Sequence, residues 1–146
     1  VVVDAVDVDG LTVLHYAAGE GHSSLPLVSY LVETAGLRAD TQNHSGLTPL
    51  HLVVEEKRGA MDTIRYLVEN QEADLHVEDA EGRTPLCVAL QCYATDNAAY
   101  LLSKMESVDE EALSLACAYK WGYKYPWRIQ KTVLEKYAFG QGQCEL

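Results

Sequence analysis

Positive charge is scarce in this chain, where 11 Lys and Arg stand against 22 Asp and Glu and the formal net charge is −11. That shortage excludes the broad basic footprint of a duplex nucleic-acid binder and favours a partner that is basic on average. Cysteine is sparse as well. Cys87, Cys92, Cys117 and Cys144 show no Cys-x-x-Cys spacing and are too few for a disulfide scaffold of this length, so reduced thiols in an intracellular compartment, cytoplasmic or nuclear, are expected. No apolar run reaches the roughly 18 residues of a membrane span. The opening Val1-Val2-Val3 is soon interrupted by Asp4, Asp7 and Asp9, unlike a signal peptide, and a start without Met suggests a piece of something longer.

The signatures of catalysis are missing too. There is no Gly-x-Ser-x-Gly elbow, no phosphate loop and no His-Glu-x-x-His, and carboxylates are too plentiful for a catalytic pair to be singled out. Cys87 and Cys92, five apart, read better as small buried hydrophobes than as metal ligands, because spacing places no further ligand beside them. The expectation is a non-enzyme with no catalytic residue, no metal and no cofactor.

What the chain has instead is periodicity. Gly10-Leu11-Thr12-Val13-Leu14-His15, Gly46-Leu47-Thr48-Pro49-Leu50-His51 and Gly82-Arg83-Thr84-Pro85-Leu86-Cys87 follow one another at intervals of 36 residues. A second segment recurs in the same register: Val28 to Glu33 returns as Ile64 to Glu69, and again, two residues early, as Ala98 to Leu102. A period of this size marks a stacked solenoid, in which no unit encloses its own flanks and neighbours must cover them.

Local chemistry gives each unit its shape. Thr48 and Thr84 can cap a helix through a side-chain oxygen, and Pro49 and Pro85 fit the first helical position, where a missing N–H costs little. Gly10, Gly46 and Gly82, two residues ahead of each cap position, suit a tight turn with positive φ. Leu50, Val53 and Val54, then Leu86, Ala89 and Leu90, continue as helical stripes. Each unit therefore reads as helix, loop, helix and an extended connection.

These residues resemble the ankyrin repeat. The match includes Asp7, Gly10, Thr12, Leu14, His15, Ala17, Ala18, Gly21 and His22 in unit one. In unit two it takes in Gly46, Thr48 to His51, Ile64, Leu67, Val68 and Ala73 to Leu75, and in unit three Asp79, Gly82 and Thr84 to Leu86. The resemblance implies an all-α repeat solenoid of helix-loop-helix units joined by β-hairpin-like fingers, and structural rather than catalytic roles for His15 and His51. Val13 in place of proline, Cys87 in place of histidine and a period longer than the family's about 33 residues are departures. The expected organisation is a single domain over 1–139, with repeats at about 7–42, 43–78 and 79–106, a degenerate cap at 107–139 and a loose end at 140–146.

The cap is read from Glu111 to Gly122, which lies on Thr48 to Gly59 without a gap. Asp109, Glu110 and Glu111 supply an acidic helix start in place of Thr-Pro. A second helix is expected from Pro126 through Ile129, Val133 and Leu134 to Tyr137.

Ankyrin-like arrays bind through fingertips and the open flank of each first helix. Carried over, those positions are Val8, Asp9, Leu11 and Glu20 in unit one, and His44, Ser45, Leu47, Glu55 and Glu56 in unit two. Unit three offers Ala80, Glu81, Arg83 and Gln91, with Cys92 an open candidate, and Tyr119 and Lys120 continue the row. Leu11 and Leu47 bordered by carboxylates suit a protein or peptide with apolar anchors and flanking basic residues, so the expected role is a scaffold or adaptor module. Two alternatives stand beside it. Residues 120–146 hold five Lys and Arg against two Glu, interleaved with Trp121, Tyr123, Tyr125 and Trp127, a pattern able to stack bases or hold anionic groups or simply to cover the last helix pair. The array is also compatible with regulating an enzyme elsewhere in a longer polypeptide.

Overall fold

The computed structural model describes residues 4–20, 24–56, 60–117 and 127–140. Eight α-helices lie among them: α1 (Val13–Gly19), α2 (Leu25–Glu33), α3 (Pro49–Glu55), α4 (Met61–Arg65), α5 (Pro85–Gln91), α6 (Thr95–Lys104), α7 (Glu110–Cys117) and α8 (Trp127–Gly140). A π-helical stretch, Tyr66–Asn70, prolongs α4. No continuous strand occurs among the described residues, and a single antiparallel bridge pairs Val6 with Thr12 at the base of the first finger.

The threonines start the first helices as their chemistry requires. Thr12, Thr48 and Thr84 are extended, and each hydroxyl accepts the N–H of the residue three further on, His15, His51 or Cys87, at 3.4 Å. The two histidines return the favour, since Nδ1 accepts the N–H of Thr12 at 3.1 Å and of Thr48 at 3.2 Å, closing a reciprocal cap. Cys87 lacks a ring to do so, and its Sγ instead lies 3.3 Å from the Thr84 hydroxyl.

The pairs α1/α2, α3/α4, α5/α6 and α7/α8 each pack internally. First helices run α1 on α3, α3 on α5 and α5 on α7, while α2 meets α4 and α6 meets α8. Piling in chain order is what a solenoid demands. One apolar spine passes through the units: Leu14, Ala17 and Ala18, then Leu50, Val53 and Val54, then Leu86, Ala89 and Leu90 are all buried, as are Val28 and Leu31, Ile64 and Leu67, and Ala98 and Leu101 from the second helices. Each such leucine contributes about 1.5–3 kcal/mol relative to exposure, and contacts both within a pair and between units supply the cover.

In the last pair Asp109 starts α7 as expected, while the register of the overlay on unit two is offset. Asp109 Oδ1 accepts the Ala112 N–H at 2.7 Å, so the capping residue stands two positions before Glu111, the residue that the overlay on Thr48 aligns with it. Helix α8 buries Ile129 and Val133, leaves Leu134 exposed and reaches Gly140; its expected start at Pro126 lies outside the described residues.

Candidate interaction face

Three fingers project ahead of α1, α3 and α5, each built by one side chain. Asp7 Oδ1 accepts the N–H groups of Asp9 and Leu11, both at 2.9 Å. Asn43 Oδ1 does the same for Ser45 and Leu47 at 3.0 and 2.9 Å, and Asp79 Oδ1 for Glu81 and Arg83 at 2.9 Å each. The side chain thus replaces a partner strand, and a glycine at +3 closes the turn. These three Asx residues build the finger face without belonging to the expected binding row, and their spacing of 36, always three ahead of a glycine, is the signal that reveals them.

Successive fingertips are tied by main chain. The His44 N–H donates to Asp9 O and the Ala80 N–H to Ser45 O, both at 2.9 Å. The approach is so close that a Cβ on Gly46 would lie 2.9 Å from Ala80 N, while Gly46 itself sits at φ +73. A fixed pitch follows for the expected contact positions on the tips: Val8, Asp9, His44, Ser45, Ala80 and Glu81 are all exposed, Val8 at 90 %.

Leu11 and Leu47 are only half-exposed, because their chain segments are also the anchor of the finger. Leu47 in particular offers its carbonyl to His15 Nε2 at 3.0 Å. The apolar strip drawn from the sequence is therefore narrower than expected, and Val8 is its open part.

Arg83 gathers the third finger and the end of α5. Its guanidinium contacts Asp79 at 2.7 and 2.8 Å, Gln91 Oε1 at 3.2 Å and Glu81 Oε2 at 3.4 Å. Burial alone would raise the Asp79 carboxyl, but the Arg83 side chain and the Arg83 and Glu81 N–H groups hold it below the ordinary value. Partial burial pushes the Glu55 carboxyl up against the pull of the Arg83 charge. Glu55, Glu81, Arg83 and Gln91 thus share one patch. Glu56 closes α3, and its carbonyl accepts Asn97 Nδ2 at 2.6 Å; Glu20 is exposed at the end of α1, with no side-chain bond tying it to the others. Cys92 is half-buried after α5, and Tyr119 and Lys120 lie outside the described residues.

The opposite, second-helix side carries an unforeseen ladder. Tyr66 donates to Glu33 Oε1 at 2.8 Å and Tyr100 to Glu69 Oε1 at 2.7 Å, each rung joining consecutive units. Lys104 Nζ also reaches Glu69 at 2.9 Å, and the Lys104 and Arg65 cations lie 5.6 and 5.9 Å from the centre of the Tyr100 ring. The repeated tyrosine and glutamate of the second segment was the readable signal.

Trp121, Tyr123 and Tyr125 of the aromatic basic segment fall outside the described residues. On α8, Lys131 pairs with Glu135 at 3.5 Å and Lys136 Nζ donates to Met105 O, so two of its cations are engaged within the fold. No helix among the described residues is long and apolar enough to cross a membrane.

Stacked helix pairs with projecting fingers, clamped tip to tip, define a repeat solenoid whose fingers and first helices form a continuous face. A family model described as ankyrin repeats (3 copies) matches residues 2–79, more than half of the chain, and no curated protein matches it. The chain belongs to the ankyrin repeat family. Ankyrin repeats are generally protein–protein interaction modules and the family is typically non-catalytic.

Proposed function

We propose that this array is a scaffold or adaptor domain that docks a protein or peptide segment along its fingertips and the ends of α1, α3 and α5. The segment carries apolar anchors flanked by Lys or Arg. One observation carries the reading: main-chain bonds between consecutive tips hold exposed side chains at fixed spacing, so the face is ordered before a ligand arrives and little further ordering cost falls on binding. Exposed Asp9, Glu20, Glu55 and Glu81 give that face its negative border. Residues 1–139 serve as one domain, with 107–139 as its closing unit, in an intracellular setting.

A display library of random peptides selected on the immobilised protein tests this. Enriched sequences are expected to hold apolar residues beside Lys or Arg, and their affinity to fall about tenfold or more in Val8→Arg combined with Glu55→Lys and Glu81→Lys, with the melting temperature unchanged. Binders that ignore these substitutions place the docking face elsewhere.

A further inference from the structure

Val13, Tyr16, Leu27 and Tyr30 of unit one are between 43 and 58 % exposed. Their counterparts in unit two, Pro49, Leu52, Thr63 and Tyr66, and in unit three, Pro85, Val88, Asn97 and Tyr100, are buried or half-buried. What covers those counterparts is the unit in front. Thr63 Oγ1 lies 3.0 Å from Oγ of Ser24, the residue before α2, Asn97 Nδ2 donates to Val54 O and Glu56 O at the end of α3, and Tyr66 and Tyr100 reach back to Glu33 and Glu69. These are the stacking positions of the fold.

On unit one their chemistry is that of an interior face. A terminal unit needs a polar outer flank, and the far end of the array has one: Glu110, Glu111 and Ser114 of α7 and Arg128, Lys131 and Glu135 of α8 are exposed. At the near end, Leu27 stands where units two and three place Thr63 and Asn97. The Tyr30 hydroxyl, at the position of the two ladder tyrosines, has no hydrogen-bond partner among the described residues. The Tyr16 hydroxyl is satisfied by Asp7 Oδ2 at 2.5 Å, which leaves the ring as its outward part.

We propose that this flank is a docking surface for a further helix pair of the ankyrin type, stacked in front of unit one in the register of the existing stack, with a carboxylate placed like Glu33 and Glu69 to accept the Tyr30 hydroxyl. The interface is continuous with the one already repeated behind it. A second copy of this chain fits less well. Its charged far end would set Arg128 and Lys131 against Leu27.

A fusion tests it directly. A copy of residues 43–78, which contains Glu69, is joined ahead of Asp7 so that the interval of 36 continues. Hydrogen exchange of the α1 and α2 amides is expected to slow by about tenfold or more relative to the 146-residue chain. Leu27→Asp should abolish that protection in the fusion while leaving the melting temperature of the unfused chain nearly unchanged, and Glu69→Gln in the added copy should remove part of it. Exchange that stays fast, or protection that survives Leu27→Asp, overturns the proposal. So does a dimer of the unfused chain that Leu27→Asp disperses in sedimentation, because the occupant is then a second copy.

Discussion

The Nε2–H of His15 donates to the carbonyl of Leu47 in the next unit at 3.0 Å, and His51 repeats the bond to Arg83 at the same distance. Because Nδ1 of each ring already accepts a threonine N–H, only the neutral Nε2–H tautomer satisfies both ends. One side chain thus caps its own helix and clamps the following finger, so local and inter-unit stability are coupled at a single ring.

His51→Ala strands the Thr48 N–H and the Arg83 carbonyl in a buried place. Loss of about 2–3 kcal/mol is expected, read as a lower urea midpoint with the slope retained. His15→Ala should behave alike, whereas substitution of exposed His44 should move the midpoint little. Equal effects at His44 and His51 contradict the clamp.

Burial lowers the pKa of His15 and His51 from the ordinary 6.5. The unfolded chain therefore takes up protons first, so this part of the stability is complete above 6.5 and declines as pH falls below it toward the folded values. The Asp79 carboxyl, held below 3.8 by Arg83 and main-chain N–H groups against the upward push of burial, extends the decline, because its contribution is present above 3.8 and lost as pH falls through its folded value. Urea midpoints should drop as pH falls from 8 through the histidine range and again below 3.8, where Asp79 takes up its proton, and His51→Gln should flatten the upper part.

Gly46 and Gly36 separate two costs. Both have positive φ, +73 and +74, but a Cβ meets Ala80 N and Asp79 only at Gly46, with open space at Gly36. Gly36→Ala should cost about 1–2 kcal/mol for left-handed strain. Gly46→Ala should exceed it by roughly 1–3 kcal/mol, since one finger must move off the next. Thermal or urea unfolding of the two variants decides it.

Cys87 fills the histidine position of unit three, buried, 3.3 Å from the Thr84 hydroxyl and 3.7 Å from Asp109 Oδ1. Burial pushes its thiol up to about 11. Alkylation at pH 8, followed by peptide mass spectrometry, should find Cys87 unmodified in the native protein and modified in urea, with half-buried Cys92 ahead of it.

The resemblance read from Gly-x-Thr-Pro-Leu, and the helix pairs drawn from it, hold because capping, turn formation and apolar stripes are local and recur at one interval. The place of the fingers was legible, but the exposure of each finger residue was not. Leu11 and Leu47 looked like free anchors, yet both are half-buried, since a carbonyl or side chain shared with the neighbouring unit leaves no mark in the residue type. Asp109 was legible as an acidic helix start, but the overlay set Glu111 on the capping threonine, two residues late, because Thr-Pro was absent and several acids stood together.

By itself the sequence determined the unit, its period and the order of its helices, because these follow from hydrogen-bonding and steric preferences within a few residues. Only the tertiary structure decided which side chains join one unit to the next. The His15 clamp, the Tyr66–Glu33 and Tyr100–Glu69 rungs and the uncovered Leu27 and Tyr30 all depend on atoms brought together from about one period apart, and on whether a neighbour stands in front of them.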